Sequence, residues 1–507
     1  MRSLRFSLGV LARKKIEINH NIYMKKDITF KELKDSGYTH KTINQEIQAN
    51  LIAKIKAKEP VFEGLWGYED TVVPQLKKAI LAGHHINLLG LRGQAKTKIA
   101  RSMVSLLGEY MPIVKGSEIN DSPFNPISKH ARDLIDENGD ETMISWVHRS
   151  NRFFEKLATP DVNVADLIGD IDPIKAATLK LPYSDERVLH YGMIPRANRC
   201  IFVLNELPDL QARIQVSLFN ILQEGDIQIR GFQLRMPLDI QFVFTANPED
   251  YTNRGSIVTP LKDRIGSQIF THYPRTIELA RQITEQEAMI SAEDKAQITV
   301  PSLAKDLLEE VAFAARDSEY VDAKSGVSAR LTISAMENLI AAAKLRLIES
   351  DAESTTIRLV DFMSIIPSIT GKIELVYEGE QEGADHVAKL LIDKAVMTQF
   401  EMIFPRVPKL EKDGIKTPYT DVIKWFNKNS LELNYDDSDE DFYVKLNNVT
   451  PLNDLVEEYG ESFSDEDKDF AKELILWALT INKKLDKSEN ENAFTFDSAG
   501  IGKYYSN

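Results

Sequence analysis

The stretch HINLLGLRGQAKT, residues 85–97, decides the fold of this chain. It reads as a short apolar strand that runs into a glycine-rich turn and ends in Lys96 and Thr97, which matches the phosphate-binding loop at all but one position. In such a loop the glycines let backbone N–H groups converge on phosphates, the lysine reaches the terminal phosphates, and the threonine hydroxyl ligates Mg²⁺. The sequence therefore predicts nucleotide binding, with a chance surface turn as the alternative. The residues predicted to contact the nucleotide are Gly90, Leu91, Arg92, Gly93, Gln94, Ala95, Lys96 and Thr97, and Thr97 is also predicted to ligate Mg²⁺.

The one departure from the template is Ala95, which stands where a glycine is expected immediately before the lysine. A side chain at this position restricts the backbone conformations through which the loop approaches phosphate. Alanine is the smallest such change, so we expect the loop to keep its role.

The amino-acid composition limits the classes of protein to which this chain can belong. Its 507 residues predict about three domains, and its 43% hydrophobic and 27% charged content is ordinary for a soluble globular protein. The single cysteine, Cys200, excludes an intramolecular disulfide, and its place beside an apolar run predicts a buried small hydrophobe.

Charge and hydropathy favour a cytoplasmic protein. No apolar stretch approaches the ~20 residues that span a bilayer, and residues 1–23 fit a secretory signal poorly. Met24, followed by two lysines, is an alternative start. The net charge of −15 argues against a protein that coats DNA. The acidic runs at 435–441 and 462–469 predict solvated loops or helix starts.

Two further apolar strands are predicted after the loop, and each ends in polar residues. Residues 200–204, CIFVL, have the continuous apolar character of a buried parallel strand and end at Asn205 and Glu206. Residues 240–248, IQFVFTANP, form another strand that ends at Asn247. Ligands of open α/β sheets bind at the carboxyl ends of strands, so these side chains are candidates for the site.

After residue 275 the pattern changes to amphipathic helices, predicted at 276–290, 302–318, 328–349 and 357–369, with another near 383–402. The predicted fold class is α/β: a P-loop core with a parallel sheet flanked by helices, followed by an all-α lid and a mostly helical acidic C-terminal region. The predicted divisions are an N-terminal extension (1–45), the nucleotide-binding core (46–275), the helical lid (276–375) and the C-terminal region (376–507).

Taken in order, the phosphate loop, CIFVLNE, FVFTANP, LKDRIGSQI and GVSARLT resemble the motifs of AAA+ ATPases. The resemblance covers about residues 46–375 and is closest to the branch of the magnesium-chelatase ATPase subunit and MoxR. It implies an ATP- and Mg²⁺-dependent ATPase that works as a ring, expected to be a hexamer, with sites shared between neighbours.

The resemblance also implies a role for each polar residue outside the loop. Asn205 occupies the place of an aspartate that holds Mg²⁺, and Glu206 that of the general base. Asn247 matches the polar sensor 1 residue, Arg264 the arginine finger that reaches a neighbour's ATP, and Arg330 sensor 2. The alternatives are a surface carboxylate for Glu206, a turn asparagine for Asn247 and surface ion pairs for the two arginines.

Two segments occupy the places of insertions that protrude toward the pore in this family. They are residues 226–238, which alternate as a β-hairpin around Arg230 and Gly231, and residues 163–182, at the helix-2 insertion. The alternative is a packing hairpin and a long surface loop.

The function that the resemblance implies is the remodelling of a partner protein, one that bears a von Willebrand A domain. The first alternative is an ATP-gated assembly scaffold that barely hydrolyses, because Ala95 and Asn205 both depart from the template. The second is a nucleic-acid or transcription remodeller. Two features that would support this second alternative are missing from the sequence: the GAFTGA loop that sigma-54 activators carry, and a zinc-ligand cluster.

Overall fold

The computed structural model describes residues 27–183, 185–227, 236–248, 257–408, 416–489 and 493–499. They divide into two compact units. The first contains the chain up to Gly90 and Ala95–His272, and the second contains Leu91–Gln94 and the chain from Tyr273 onward. The Met24 start and the tip of the predicted hairpin, Arg230 and Gly231, lie outside the described residues.

The first unit is built on a parallel sheet. The strands of this unit are β1 (Ile28–Thr29), β2 (Ile86–Leu89), β3 (Tyr110–Val114), β4 (Met143–His148), β5 (Phe153–Leu157), β6 (Gly169–Ile171), β7 (Leu189–Tyr191), β8 (Cys200–Asn205), β9 (Asp226–Ile227), β10 (Met236–Pro237), β11 (Ile240–Ala246) and β12 (Ser267–Phe270). Within the described residues the parallel sheet has five strands in the order β12-β2-β11-β8-β5, and β1, β4 and β3 form a small antiparallel sheet.

Helices cover both faces of the parallel sheet. Those of the first unit are α1 (Phe30–Asp35), α2 (Ile43–Ala57), α3 (Val72–Leu81), α4 (Lys96–Ser102), α5 (Lys129–Asn138), α6 (Val164–Leu167), α7 (Pro173–Leu179), α8 (Met193–Arg196), α9 (Ala212–Glu224) and α10 (Thr259–Arg264). On one face Val203 and Val243 pack in a cluster with Ile99 of α4. On the other, Phe202 packs with Leu218 of α9. Burial on both faces explains why the central strands are apolar throughout, and the predicted α/β fold class is confirmed.

The second unit is mostly helical. Its helices are α11 (Ile277–Glu287), α12 (Ala292–Gln297), α13 (Ser302–Arg316), α14 (Arg330–Ser350), α15 (Ile366–Thr370), α16 (Tyr377–Glu382), α17 (Ala384–Ile403), α18 (Thr420–Phe426), α19 (Asp439–Asn447), α20 (Thr450–Tyr459) and α21 (Asp465–Ile481). Its strands are β13 (Ile298–Thr299), β14 (Thr355–Thr356), β15 (Leu431–Asn434), β16 (Leu485–Glu489) and β17 (Ala493–Ser498). Among the described residues, no helix has the length and apolar character needed to cross a membrane.

One predicted helix differs from the structure. Residues 357–369 form a 3₁₀ segment, Leu359–Ile365, followed by the short α15, in place of a continuous α-helix. Pro367 lies in the first turn of α15, where its missing N–H costs no intrahelical hydrogen bond, so the helix begins there and does not pass through it. A single cluster of buried residues then runs from Ala288 to Phe496 through both predicted parts of the unit. The division into a lid and a C-terminal region stays a prediction.

A buried ion pair attaches α2 to the edge of β5 in the first unit. Arg152, only 1% exposed, donates from Nη1 and Nη2 to the two carboxylate oxygens of Glu46 at 2.8 and 2.7 Å. It also donates to the carbonyl oxygen of Arg199. Burial on its own raises the pKa of Glu46, but the hydrogen bonds and charge of Arg152 outweigh burial and hold that pKa below its ordinary value of 4.5.

We predict that Glu46→Gln lowers the free energy of unfolding by about 3–5 kcal/mol at pH 7, because the Arg152 charge stays buried without its counterion. A depressed carboxyl pKa stabilises the fold above pH 4.5, and this contribution is lost as the pH falls through the folded-state pKa. The difference between Glu46→Gln and wild type should therefore shrink below pH 4.5. Urea unfolding of the full chain at several pH values measures it.

The control is Asp140→Asn, which removes an exposed ion pair with Lys34 in the same unit. Exposed pairs contribute little, so this variant should unfold like wild type. Equal effects of the two substitutions would contradict the prediction.

Candidate functional site

Three polar segments emerge at one edge of the parallel sheet. Leu89 at the end of β2 is paired with Ala246 at the end of β11, and Phe244 of β11 is paired with Leu204 of β8. Gly90 N–H then donates to the Ala246 carbonyl at 3.1 Å. The strand pairing thus brings the first residue of the phosphate loop, the Asn205–Glu206 pair and the buried Asn247 to neighbouring strand ends.

Lys96 is the first residue of α4 and its side chain turns back into the loop. It is only 8% exposed, and its Nζ donates to the carbonyl oxygen of Gly90, the residue at which the loop begins. An ammonium group held at the mouth of a glycine-rich turn is placed to meet the terminal phosphates of a nucleotide. Thr97 follows it as the second residue of α4.

Ala95 adopts a left-handed backbone conformation, with φ 54° and ψ 20°. This conformation explains why the loop template has glycine here: an L-residue in the left-handed region costs roughly 1–2 kcal/mol. The departure noted in the sequence is therefore a local strain beside the lysine. Gly93, also at positive φ (71°), carries no such cost.

The middle of the loop, Leu91–Gln94, makes its contacts within the second unit. The Arg92 side chain forms an ion pair with Glu374, and the Tyr273 hydroxyl donates to the Arg92 carbonyl at 2.8 Å. A Cβ added to Gly93 would stand 2.1 Å from Ser328 Oγ, so only glycine fits at that contact. Two residues later Arg330 begins α14 with an exposed side chain. Tyr273 and Ser328 are loop contacts that motif reasoning missed.

The residues after β8 form a hydrogen-bonded chain. The Thr245 hydroxyl donates to Asn205 Oδ1 at 3.1 Å and accepts from the Glu206 N–H at 3.1 Å. Asn205 Nδ2 donates to Glu155 Oε1 at 2.6 Å. Glu206 itself has φ 55° and ψ 51°, a strained conformation for a non-glycine residue, and such strain is concentrated at functional sites.

Glu155 was not among the residues predicted from the sequence. It lies on β5, within FFEKL, and its Oε2 accepts from Arg101 Nη2 at 2.7 Å and Nε at 3.1 Å. The available signal was a carboxylate inside an apolar strand. The contact of Glu155 with Asn205 depends on the pairing of β5 with β8, which places the two side chains on neighbouring strands.

Arg264 is the last residue of α10 and is held against α9 of its own chain. Its Nε and Nη2 donate to Gln223 Oε1 at 3.0 and 2.7 Å, and its Nη1 donates to the Pro260 carbonyl at 2.7 Å. The guanidinium also lies 5.4 Å from the centre of the Phe219 ring. Three of the five N–H groups are thus engaged, which leaves two for a further acceptor.

The two predicted insertions differ in how much of them is described. At 226–238 the base is an antiparallel pair, β9 with β10. The segment 163–182 contains α6, β6 and α7, and presents Ile174 and Leu179 at 77% and 52% exposure.

The side chains predicted to hold Mg²⁺ have suitable chemistry. The Thr97 hydroxyl and the Asn205 amide oxygen are oxygen donors, as is the Glu206 carboxylate, and this hard cation prefers oxygen. Within the described ranges no group of three or more His, Cys, Asp or Glu side chains could hold a metal.

Comparison with known proteins found a matching family model and several similar solved structures. A family model described as a sigma-54 interaction domain matches residues 182–265. The chain is similar to a "putative ATPase" from Cytophaga hutchinsonii at 17% identity, covering 72% of this chain and 98% of that chain, with a TM-score of 0.29. It is similar to one chain in the complex of subunits BchI and BchD of magnesium chelatase at 19% identity, covering 63% of this chain and 98% of that chain, with a TM-score of 0.33. It is also similar to NtrX from Brucella abortus in complex with ADP at 12% identity, covering 69% of this chain and 66% of that chain, with a TM-score of 0.35.

The family match contains Asn205, Glu206, Asn247 and Arg264. It begins where the segment 163–182 ends, and that segment contains no GAFTGA sequence.

We predict that Ala95→Gly raises the free energy of unfolding by up to about 1 kcal/mol. Relief of the left-handed strain outweighs the greater entropy of an unfolded chain with one more glycine. Scanning calorimetry of the full chain measures the change.

The matched control is Ala53→Gly, at an exposed position inside the right-handed helix α2. There the same substitution should cost about 1 kcal/mol. Equal losses at both positions would show that Ala95 carries no strain.

Proposed function

We propose that this chain is a Mg²⁺-dependent ATPase of the magnesium-chelatase and MoxR kind. The single observation that carries the proposal is the buried Lys96, with its ammonium group at the Gly90 carbonyl where the loop begins. The pairing of β2, β11 and β8 supports it, because it sets Asn205, Glu206 and Asn247 at neighbouring strand ends.

Hydrolysis in this proposal follows from what each side chain can do. Lys96 binds the terminal phosphates and Thr97 provides a hydroxyl for Mg²⁺, which when bound neutralises charge on the phosphate oxygens. Glu206 accepts a proton from a water molecule whose oxygen attacks the γ-phosphorus. The bond from that phosphorus to the β–γ bridging oxygen breaks, giving ADP and inorganic phosphate. Asn247, whose amide both donates and accepts, orients the attacking water.

We further propose a ring, expected to be hexameric, in which Arg264 completes the site of the adjoining protomer. Support comes from the fixed guanidinium: Gln223 and Pro260 hold three of its N–H groups, and two others can meet the charge that develops on the transferred phosphoryl group. Arg330 would act as sensor 2, and its position next to the Ser328–Gly93 contact supports a role at the loop.

The work that the ring performs is proposed from the resemblance. It is the remodelling of a partner protein with a von Willebrand A domain, in the cytoplasm. The exposed Ile174 and Leu179 in segment 163–182 support a partner contact there.

The second candidate is an ATP-gated scaffold with little turnover. Two observations favour it: the neutral Asn205 in the place of a carboxylate, and the strained backbone at Ala95. Both the ATPase and the scaffold would bind ATP, but only the ATPase would hydrolyse it at a substantial rate.

We predict that Lys96→Ala weakens ATP binding by about 10–100-fold, the loss expected for a charge-assisted hydrogen bond of about 1.5–3 kcal/mol. Glu206→Gln should keep binding and lower the turnover by about 10²–10⁴-fold, because the general base is removed. Titration calorimetry and a phosphate-release assay measure the two effects.

Lys78→Ala, which changes an exposed lysine on α3, is the control and should bind ATP like wild type. Unchanged binding in Lys96→Ala would contradict the proposed site. Binding without turnover in wild type would favour the scaffold.

We predict that Lys96→Ala and Arg264→Ala, each with a lowered ATPase rate alone, regain part of the wild-type rate when mixed. In a mixed ring the first protein supplies Arg264 to a neighbour whose phosphate loop is intact. A steady-state assay over a range of mixing ratios measures the recovery. No recovery, with mixed assembly shown by co-purification of two tags, would mean that Arg264 does not act on a neighbour.

A further inference from the structure

The amide of Asn205 has a fixed orientation. Its Oδ1 accepts from the Thr245 hydroxyl and its Nδ2 donates to Glu155 Oε1. A flipped amide would place Oδ1 against the Glu155 carboxylate, which has no proton to offer when ionised. The network therefore assigns the amide nitrogen to Glu155 and leaves the second lone pair of Oδ1 for another donor.

Strand register explains why Glu155 can reach Asn205. In the parallel pair β5–β8, Glu155 is opposite Val203 and Leu157 is opposite Asn205. Side chains two residues apart on a strand share a face, so Glu155 and Asn205 are diagonal neighbours. Val203 packs in the same cluster as Ile99 of α4, the helix that begins with Lys96. Glu155 thus lies on the sheet face that the phosphate-loop helix covers.

The Glu155 side chain is partly buried, and both of its carboxylate oxygens accept hydrogen bonds. Its side chain is 25% exposed, and Arg101, the residue that binds Oε2, is 63% exposed. Because an ion pair with so exposed an arginine is screened by water, Arg101 positions the carboxylate without cancelling its charge. The other oxygen, Oε1, is left for the Asn205 amide.

We propose that Glu155 supplies, through Asn205, the negative charge that a neutral amide lacks toward Mg²⁺ and its bound water. A hydrogen bond from an amide nitrogen to an anion shifts electron density toward the amide oxygen, and bonds of this kind reinforce one another. Glu155 is a positioning residue, and Asn205 Oδ1 is the atom that faces the metal-bound water. This inference rests on the proposed nucleotide function and concerns how the same site holds its metal.

The test separates the charge of Glu155 from its hydrogen bond. Glu155→Gln keeps an acceptor for the Asn205 amide and removes only the charge. The double variant N205D/E155Q exchanges the two groups between the strands, so the charge stands directly at position 205 and the glutamine amide donates to it. The control is Glu186→Gln, which changes an ion pair with Arg132 of the same 2.7 Å length and similar exposure of the glutamate.

The measurement is the affinity of the full chain for ADP and for a non-hydrolysable ATP analogue, by calorimetry, in EDTA and in Mg²⁺. Outer-shell partners of metal ligands typically contribute 10–100-fold to metal affinity. Glu155→Gln should therefore lose about 10–100-fold of the tightening that Mg²⁺ gives, while its affinity in EDTA stays that of wild type. N205D/E155Q should regain the tightening, and Glu186→Gln should keep it. The affinity in EDTA also shows that each variant has a folded phosphate loop.

Each result decides the question. A wild-type Mg²⁺ effect in Glu155→Gln, or no recovery in N205D/E155Q, overturns the inference and leaves the proposed function standing. Failure of the wild-type chain to take up nucleotide, or binding that Lys96→Ala does not change, overturns both.

Discussion

The parallel pairing of β2 with β11, and of β11 with β8, is the constraint on which the rest of the site depends. These strands are far apart in sequence, yet their carboxyl ends meet at one edge of the sheet. The phosphate loop, the Asn205–Glu206 pair and Asn247 leave the sheet at that edge. A shift of one residue in either register would turn the side chains after that strand to the other face. The apolar runs that bury both faces therefore also fix the positions of the polar groups.

Among the described residues, eight that are not glycine have positive φ, and two of them lie at the same edge. Ala95 and Glu206 both have left-handed conformations, and neither is a glycine. Such conformations persist only where the surroundings over-determine them. Glu206 is held through its N–H by the Thr245 hydroxyl, and Ala95 directly precedes the buried Lys96. The two strained residues lie beside groups to which the proposed function gives roles toward the phosphates and the attacking water.

Charge at the site is arranged across two strands. The position after the apolar run of β8 carries an amide, while the nearest hydrogen-bonded carboxylate belongs to β5. Thr245 on β11 and Arg101 on α4 complete the network, so four elements of the first unit fix one amide group. The sequence motif shows only that position 205 has an amide where a carboxylate is expected. The paired strands show where negative charge is present.

The α/β class and the strands that lead to Asn205 and Asn247 could be predicted from the amino-acid sequence, because they depend on local patterns: apolar runs, glycine turns and helical spacing. The predicted helix at 357–369 was wrong because Pro367 begins a new helix there. Three sets of contacts are visible only in the folded chain: Glu155 with Asn205, Tyr273 and Ser328 with residues 92–93, and Arg152 with Glu46. Each of these contacts joins residues at least 50 positions apart. Strand register and packing bring them together, and no local pattern in the chain records them.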